Sequence, residues 1–405
     1  MIKAFIKICI NILLLEHLIS INFLIGKFKS KIPITSFNNY TNFPKSNSSD
    51  DELVEIQNYI YFAFNGTSLD EGKAFYPTKN PLISVIISVY NGEPYIKTAL
   101  MSIQNQDFKN IEIIMVDDCS KDNSVNLIKK LMKNEPRLFL YQNDRNRGAL
   151  YTKTKGVLLA KGKYILILDE DDIYAQKNAF SILYQEAEKY NLDLLSFISL
   201  LSKPKLKNLH FKRKETEHPI IFQPKLREKC FKRISNGKVE YNWGMLHNYF
   251  IKRNIFIKCI KQIEDKYFNI KMNSHDDLLL FYLLTRNAYN SKQIDKIFHI
   301  YLRGWNTTNT KVKFSQKEKS KIYKSMRCNS LLNFIEFILN KTENTFYDKE
   351  IAFYSIDKWL LNNWCRNFTE TTEKALKISR EYLNNKFIKK VYKEKIMLFM
   401  EEKQK

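Results

Sequence analysis

YILILDEDDIY, Tyr164 to Tyr174, is the stretch on which the reading of this chain turns. Its first half is an aliphatic run of the kind that fills a strand buried on both faces. Its second half sets Asp169, Glu170, Asp171 and Asp172 side by side. Like charges at that spacing disfavour one another's ionisation unless something positive offsets them. A solvated turn, a basic protein neighbour and a bound divalent cation are the three offsets open to the sequence.

The same design recurs upstream. LISVIISVY (82–90) is a nearly continuous apolar run that gives way to Tyr90 and Asn91, and IEIIMVDD (111–118) closes on Asp117 and Asp118. LFLYQN (138–143) and LDLLSFISL (192–200) read as further strands. Between them, PYIKTALMSIQNQ (94–106), SKDNSVNLIKKLMKN, GALYTKTKGVLLA and NAFSILYQEAEKY carry helical spacing or cap-type starts. Strands alternating with helices predict an α/β fold, a largely parallel sheet with helices on both faces. Ligands in such sheets bind beyond the carboxyl ends of the strands. The polar residues of three strands fall at that one edge, which weighs more than any single acid.

The whole chain sets the bounds. Its 405 residues, 44% hydrophobic and 14% aromatic, suffice for two or three domain-sized pieces with a sizeable core. Lys and Arg outnumber Asp and Glu by 66 to 43, a surplus of +23 that suits an acidic partner or reflects a Lys- and Asn-rich composition. The most basic run, 203–233, reads as a solvated loop and has no nucleic-acid-binding motif, so nucleic acid is not expected as a partner. The six cysteines form no CxxC pair, which argues against a structural zinc site built on cysteine and against a disulfide framework.

Ile8–Ile25 is mostly apolar and flanked by lysines on both sides. A signal anchor over residues 1–26 is the first reading. A cleaved signal peptide and an interfacial or core helix stay open, because Glu16 and His17 lie near its middle. An anchor implies a membrane-associated protein, such as a single-pass protein of the ER or Golgi; the alternatives are cytoplasmic or secreted. Residues 27–80 read as a stem with a helix at DELVEIQNYIYFAF, 81–310 as the α/β domain, and 311–405 as a helical C-terminal region.

Taken in order, these pieces resemble family-2 glycosyltransferases, which have the GT-A fold. SVIISVYNGEPYIKTALMSIQNQDFKNIEIIMVDDCSKDNS resembles the family's opening strand, helix and second strand. NRGALYTKTKGVLLAKGKYILILDEDDIY resembles its path into a D-x-D, and HDDLLLFYLL (275–284) its acceptor-side acidic motif, followed by IYLRGW. The resemblance implies an inverting, metal-dependent hexosyltransferase. Its donor would be a nucleotide-diphosphate sugar, a UDP-sugar first, and its acceptor a hydroxyl of a glycan, lipid or protein. It also implies site residues. Ser88, Tyr90, Asn91 and Glu93 would line the nucleotide, with Tyr90 stacked on the base. Asp118 would read the base edge beside Asp117. Lys153 and Glu170 would lie on the donor side, and Arg303 would face the diphosphate. Asp169 would contact the ribose or the metal, and Asp171 would be the principal ligand of the Mn²⁺ or Mg²⁺ on the diphosphate. Asp277 would be the catalytic base and Asp276 its neighbour.

Two departures stand out. Thr152-Lys153-Thr154 replaces the usual Ala-Arg-Asn, so Lys153 keeps the charge and loses the planar fork. Trp305 falls where many relatives carry His. The competing reading is a catalytically degenerate relative that binds nucleotide sugars or serves as a scaffold.

Overall fold

The computed structural model describes residues 79–202, 218–227, 232–235, 238–241, 246–270, 272, 276–302 and 330–338. The apolar segment Ile8–Ile25, the stem and its helix, Arg303, Trp305, much of the basic run 203–233 and most of 311–405 lie outside them. Among the described residues no helix is long and apolar enough to cross a membrane.

Three apolar runs of the sequence become the centre of a sheet. β1 (Ile83–Val89) and β2 (Ile111–Asp117) are buried along their whole length, and β4 (Tyr164–Asp169) is buried up to its final residue. β1 pairs in parallel with β2 on one side and β4 on the other, and β2 carries β3 (Leu138–Gln142) at the edge. Alternate residues of these strands feed two separate cores, as the period-two geometry of a strand requires. Val85, Ile87, Ile113, Met115, Leu166 and Leu168 pack against α1 (Ile96–Gln104), α2 (Ser124–Met132) and α4 (Ala179–Lys189). Ile86, Ile114, Val116, Ile165 and Ile167 face the opposite core, which holds α3 (Ala149–Leu159), α5 (Arg253–Ile260), α7 (Asp276–Asn287) and the helical residues 330–338. A short helix, α6 (Asp265–Asn269), lies between α5 and α7 in the chain.

Gly156 fixes the approach of α3 to the sheet. A Cβ built there would stand 2.3 Å from Ile86 Cγ2, so any side chain would push the helix outward.

The sheet runs further than the five strands read from sequence, and it is mixed. Its order is β3-β2-β1-β4-β10-β6-β11-β5, with β7 (Ile221–Phe222) also paired to β11. β10 (Tyr249–Lys252) lies antiparallel between β4 and β6 (Leu194–Ser202). β11 (Asn290–Leu302) runs parallel to β6 and antiparallel to β5 (Ile173–Tyr174). β10 is four residues long, too short to show a period. β11 carries Lys292, Asp295 and Lys296 on a partly exposed face and so looks like mixed sequence. The basic run contains β7 and leads into a hairpin of β8 (Lys232–Ser235) and β9 (Lys238–Tyr241), where a loop was expected; charged strands at a periphery lack the apolar alternation that marks a half-buried one.

Candidate active site

The register of the sheet brings the acidic strand ends together. Val89 sits opposite Asp117, and Ser88 sits opposite Asp169. Everything chemical in the opening stretches therefore converges on one edge, at the carboxyl ends of β1, β2 and β4.

The loop after β1 is tied to its neighbours by side chains. Asn91, in the left-handed region at φ 55°, donates its N–H to Ser120 Oγ at 2.9 Å and accepts from Lys121 N at 2.7 Å. Glu93 N donates to Asp122 Oδ2 at 3.1 Å, and Glu93 Oε2 lies 3.4 Å from Asn123 N. Asn91 and Glu93 thus brace the two loops against each other. Tyr90 projects outward with 37% of its surface exposed. Glu170 is buried, and its Oε1 faces Tyr90 N at 3.4 Å. A Cβ on Gly92 would collide with Glu170 Cγ at 2.7 Å, so only glycine lets this acid tuck beneath the loop.

Asp117 and Asp118 have different partners. Asp118 is buried and accepts from Asn143 Nδ2 at 2.9 Å, Arg147 N at 2.7 Å and Gly148 N at 2.8 Å. It satisfies free N–H groups at the start of α3, where a carboxylate also meets the positive end of the helix dipole. Asp117 accepts from Ser120 N through Oδ2 at 3.2 Å, and its Oδ1 is buried with no partner among the described residues.

Lys153 is the hub. It lies on α3, only 4% exposed, and its Nζ is 2.7 Å from Asp277 Oδ1, 3.0 Å from Asp276 Oδ2 and 3.3 Å from Asp169 Oδ1. The contact with Asp277 is a hydrogen bond; that with Asp276 is an ion pair without hydrogen-bond alignment. Burial disfavours the ammonium, but Asp169, Asp276 and Asp277 outweigh it and hold its pKa well above the usual lysine range. Asp276 and Asp277 are the first two residues of α7, where acids are favoured by the helix dipole. Burial pushes the Asp277 carboxyl up to about 7, against the pull of Lys153 and with a further push from Asp276.

The remaining acids are under strain of charge. Burial, then Asp172 and Asp169, lift Asp171 to about 8. Burial, then Asp171 and Asp169, raise Glu170 well above its ordinary value. Asp172 turns inward, accepts from Leu302 N at 3.0 Å, and is raised by burial and then by Asp169. Oxygen donors carrying this much uncompensated charge fit a hard divalent cation at Asp169 and Asp171.

His247 and His299 were not singled out from sequence. They lie 52 positions apart with no motif around either, and only the fold brings both to Asp172, within 4.8 Å by their ligating atoms.

A mixed sheet with acids gathered at the carboxyl ends of its parallel strands, served by helices on both faces, has the architecture of the GT-A fold. The sequence model described as "Glycosyl transferase family 2" matches residues 84–256. The glycosyltransferase GlyG of Streptococcus pneumoniae is 37% identical over 114 residues, 28% of this chain and 38% of its own length. A GalNAc(5)-diNAcBac-PP-undecaprenol β-1,3-glucosyltransferase of Campylobacter jejuni is 38% identical over 111 residues, 27% of this chain and 35% of its own. The chain therefore spans well under two thirds of the length of these relatives. The crystal structure of S. aureus TarS 1-349 in complex with UDP-GlcNAc superposes with a TM-score of 0.52 at 15% identity, over 74% of this chain and 80% of that one, a likeness of fold.

Proposed function

We propose that this protein is an inverting glycosyltransferase that moves a sugar from a nucleotide-diphosphate sugar, a UDP-sugar first, to an acceptor hydroxyl with the help of a divalent cation. The observation that carries the reading is the Lys153 hub. It draws Asp277, from a motif more than a hundred residues downstream, to Asp169 of the D-x-D. A base and a carboxylate of the D-x-D thus meet at one ammonium, which brings the two halves of the transfer within reach of one substrate.

In this scheme Asp277 accepts the proton of the acceptor hydroxyl. That oxygen forms a bond to the anomeric carbon, and the bond from that carbon to the diphosphate oxygen breaks on the opposite face. The nucleoside diphosphate leaves with the electron pair. A carboxyl near pH 7 suits the task, because a base works best when its pKa is close to the working pH. Lys153 aims Asp277 and keeps its second oxygen free for the acceptor. Tyr90 offers an exposed ring for the base to stack on. Asp117, with one oxygen unpartnered, is the better base-edge reader, and Asp118 holds the floor of the nucleotide loop. A Mn²⁺ or Mg²⁺ held by Asp169 and Asp171 would neutralise charge on the departing diphosphate. The relatives' names support the class: one is a glucosyltransferase named for a polyprenyl-diphosphate-linked glycan, and TarS was crystallised with UDP-GlcNAc.

The test is a panel of UDP-, GDP- and dTDP-sugars offered to the full chain with and without Mn²⁺, read by released nucleoside diphosphate and by NMR of the product's anomeric configuration. One donor should turn over only with metal and give the opposite anomer. A retained configuration overturns the inverting mechanism. Donor binding with no turnover across the panel favours the degenerate binding protein.

A further inference from the structure

We propose that Asp172, His247 and His299 form a second metal site, separate from the D-x-D, that takes a borderline transition ion with Zn²⁺ preferred. All three side chains are buried, at 0%, 3% and 0% exposure. Asp172 Oδ2, His247 Nε2 and His299 Nε2 each lack a hydrogen-bond partner among the described residues. Buried polar atoms are almost always paired, and three orphans in one place call for a common partner.

The geometry suits a metal better than a proton. His299 Nε2 and Asp172 Oδ2 stand 3.3 Å apart, yet they make no hydrogen bond. Two ligands each about 2.0–2.1 Å from a tetrahedral zinc ion lie about 3.3 Å from one another. The ligand atoms of the trio all lie within 4.8 Å of one another. His247 stacks on His299, with centroids 4.2 Å apart and planes 24° from parallel, so binding requires His247 to turn out of the stack until both Nε2 lone pairs point at one ion.

The surrounding bonds orient the ligands. His299 Nδ1 is 2.6 Å from Ser199 Oγ. A proton on Nδ1, donated to that hydroxyl, leaves the lone pair on Nε2, which is the tautomer a metal requires. Asp172 Oδ1 is held by Leu302 N at 3.0 Å, so Oδ2 alone is presented. The three ligands come from the turn after β4, the turn 246–248 and β11. An ion there would pin the segment that carries Asp171 to the sheet behind it. The donor sets also differ: two imidazoles and one carboxylate suit Zn²⁺, whereas the all-oxygen pair Asp169 and Asp171 suits Mg²⁺ or Mn²⁺.

The experiment uses the full chain stripped by chelator, reloaded with Zn²⁺ alone and desalted, with retained metal counted by mass spectrometry. Wild type and Asp171→Asn should each keep one equivalent, and the His247→Gln/His299→Gln double variant should keep none. The K-edge absorption of the zinc-loaded wild type needs no variant to fold, and should show nitrogen ligands at about 2.0–2.1 Å. A wild type that retains no zinc overturns the proposal. So does zinc that is lost in Asp171→Asn, or a spectrum with oxygen ligands only.

Discussion

At the start of the central strands, Glu112 and Glu135 are buried acids with their donors in place; beyond the other end of the same strands, Asp172 is buried and Asp171 and Asp277 are half-buried, and they lack enough donors. Glu112 takes Ser84 Oγ at 2.6 Å, Lys161 N at 2.6 Å and Gly162 N at 3.2 Å. Glu135 holds Arg137 through two bonds, at 2.7 and 2.8 Å, and takes a third from Gln104 at 3.1 Å. Among the described residues, Lys153 is the ammonium that Asp169, Asp276 and Asp277 share. The pairs at the first end make a fixed frame. The unpaired charge at the second is a standing affinity for protons and cations.

Asp277→Asn should cut turnover about 10²–10⁴-fold while the protein still binds donor, because an amide cannot take the acceptor's proton. Steady-state kinetics with donor affinity measured separately decides it; if Asp276→Asn is the crippling change instead, the roles within the pair are reversed. Glu135→Ala should do the opposite. It strands Arg137 in the core and should cost about 3–5 kcal/mol in a denaturant titration, with turnover per folded molecule unchanged. Activity that falls with that variant would join the two ends and break the contrast.

Gly156→Ala drives a methyl into Ile86 and should cost about 1–3 kcal/mol by overpacking. Lys153 shares this helix face one turn earlier, so some turnover should be lost with it. A stable variant of full activity would show that the height of α3 does not matter to the hub.

A fourth difference is in pH. With Asp277 at about 7 folded against 3.8 in its reference state, the folded chain keeps a proton that the unfolded chain releases. That contribution to stability is fully present below about pH 4 and is lost as pH rises through about 7. Turnover runs the other way, climbing about tenfold per unit toward a plateau above pH 7 as the base ionises. A rate profile set beside melting temperatures at the same pH values should show the two curves crossing; a flat rate profile from pH 5 to 8 would remove Asp277 as the base.

Much of this was legible in sequence, and the reasons are local. The strands β1, β2 and β4 announce themselves because strands buried on both faces must be apolar throughout, and their acids stand out against that background. The D-x-D and the Asp276–Asp277 pair were readable as motifs. That one lysine joins them was not, since the contact depends on how α3 and α7 pack. That Asp118 accepts from the N–H groups of Arg147 and Gly148 was not readable either, since sequence shows a carboxylate but not its partners. β10 left no signal, and the meeting of Asp172 with His247 and His299 exists only once the sheet has closed.

The antiparallel placement of β10 also sets a timetable. β4 and β6 never touch directly in the finished sheet; the strand that joins them is made after both. On a ribosome adding about 5–20 residues per second, β10 follows the end of β6 by about 50 residues, a wait of about 3–10 seconds. For that interval the nascent chain shows an open edge on β4 and both edges of β6, because β11 comes later still, and each is a template for pairing with another chain. The stretch from Tyr249 to Lys252 stitches β4 to β6, and a chain cut short before it would leave the edge of β4 open to pairing with another chain.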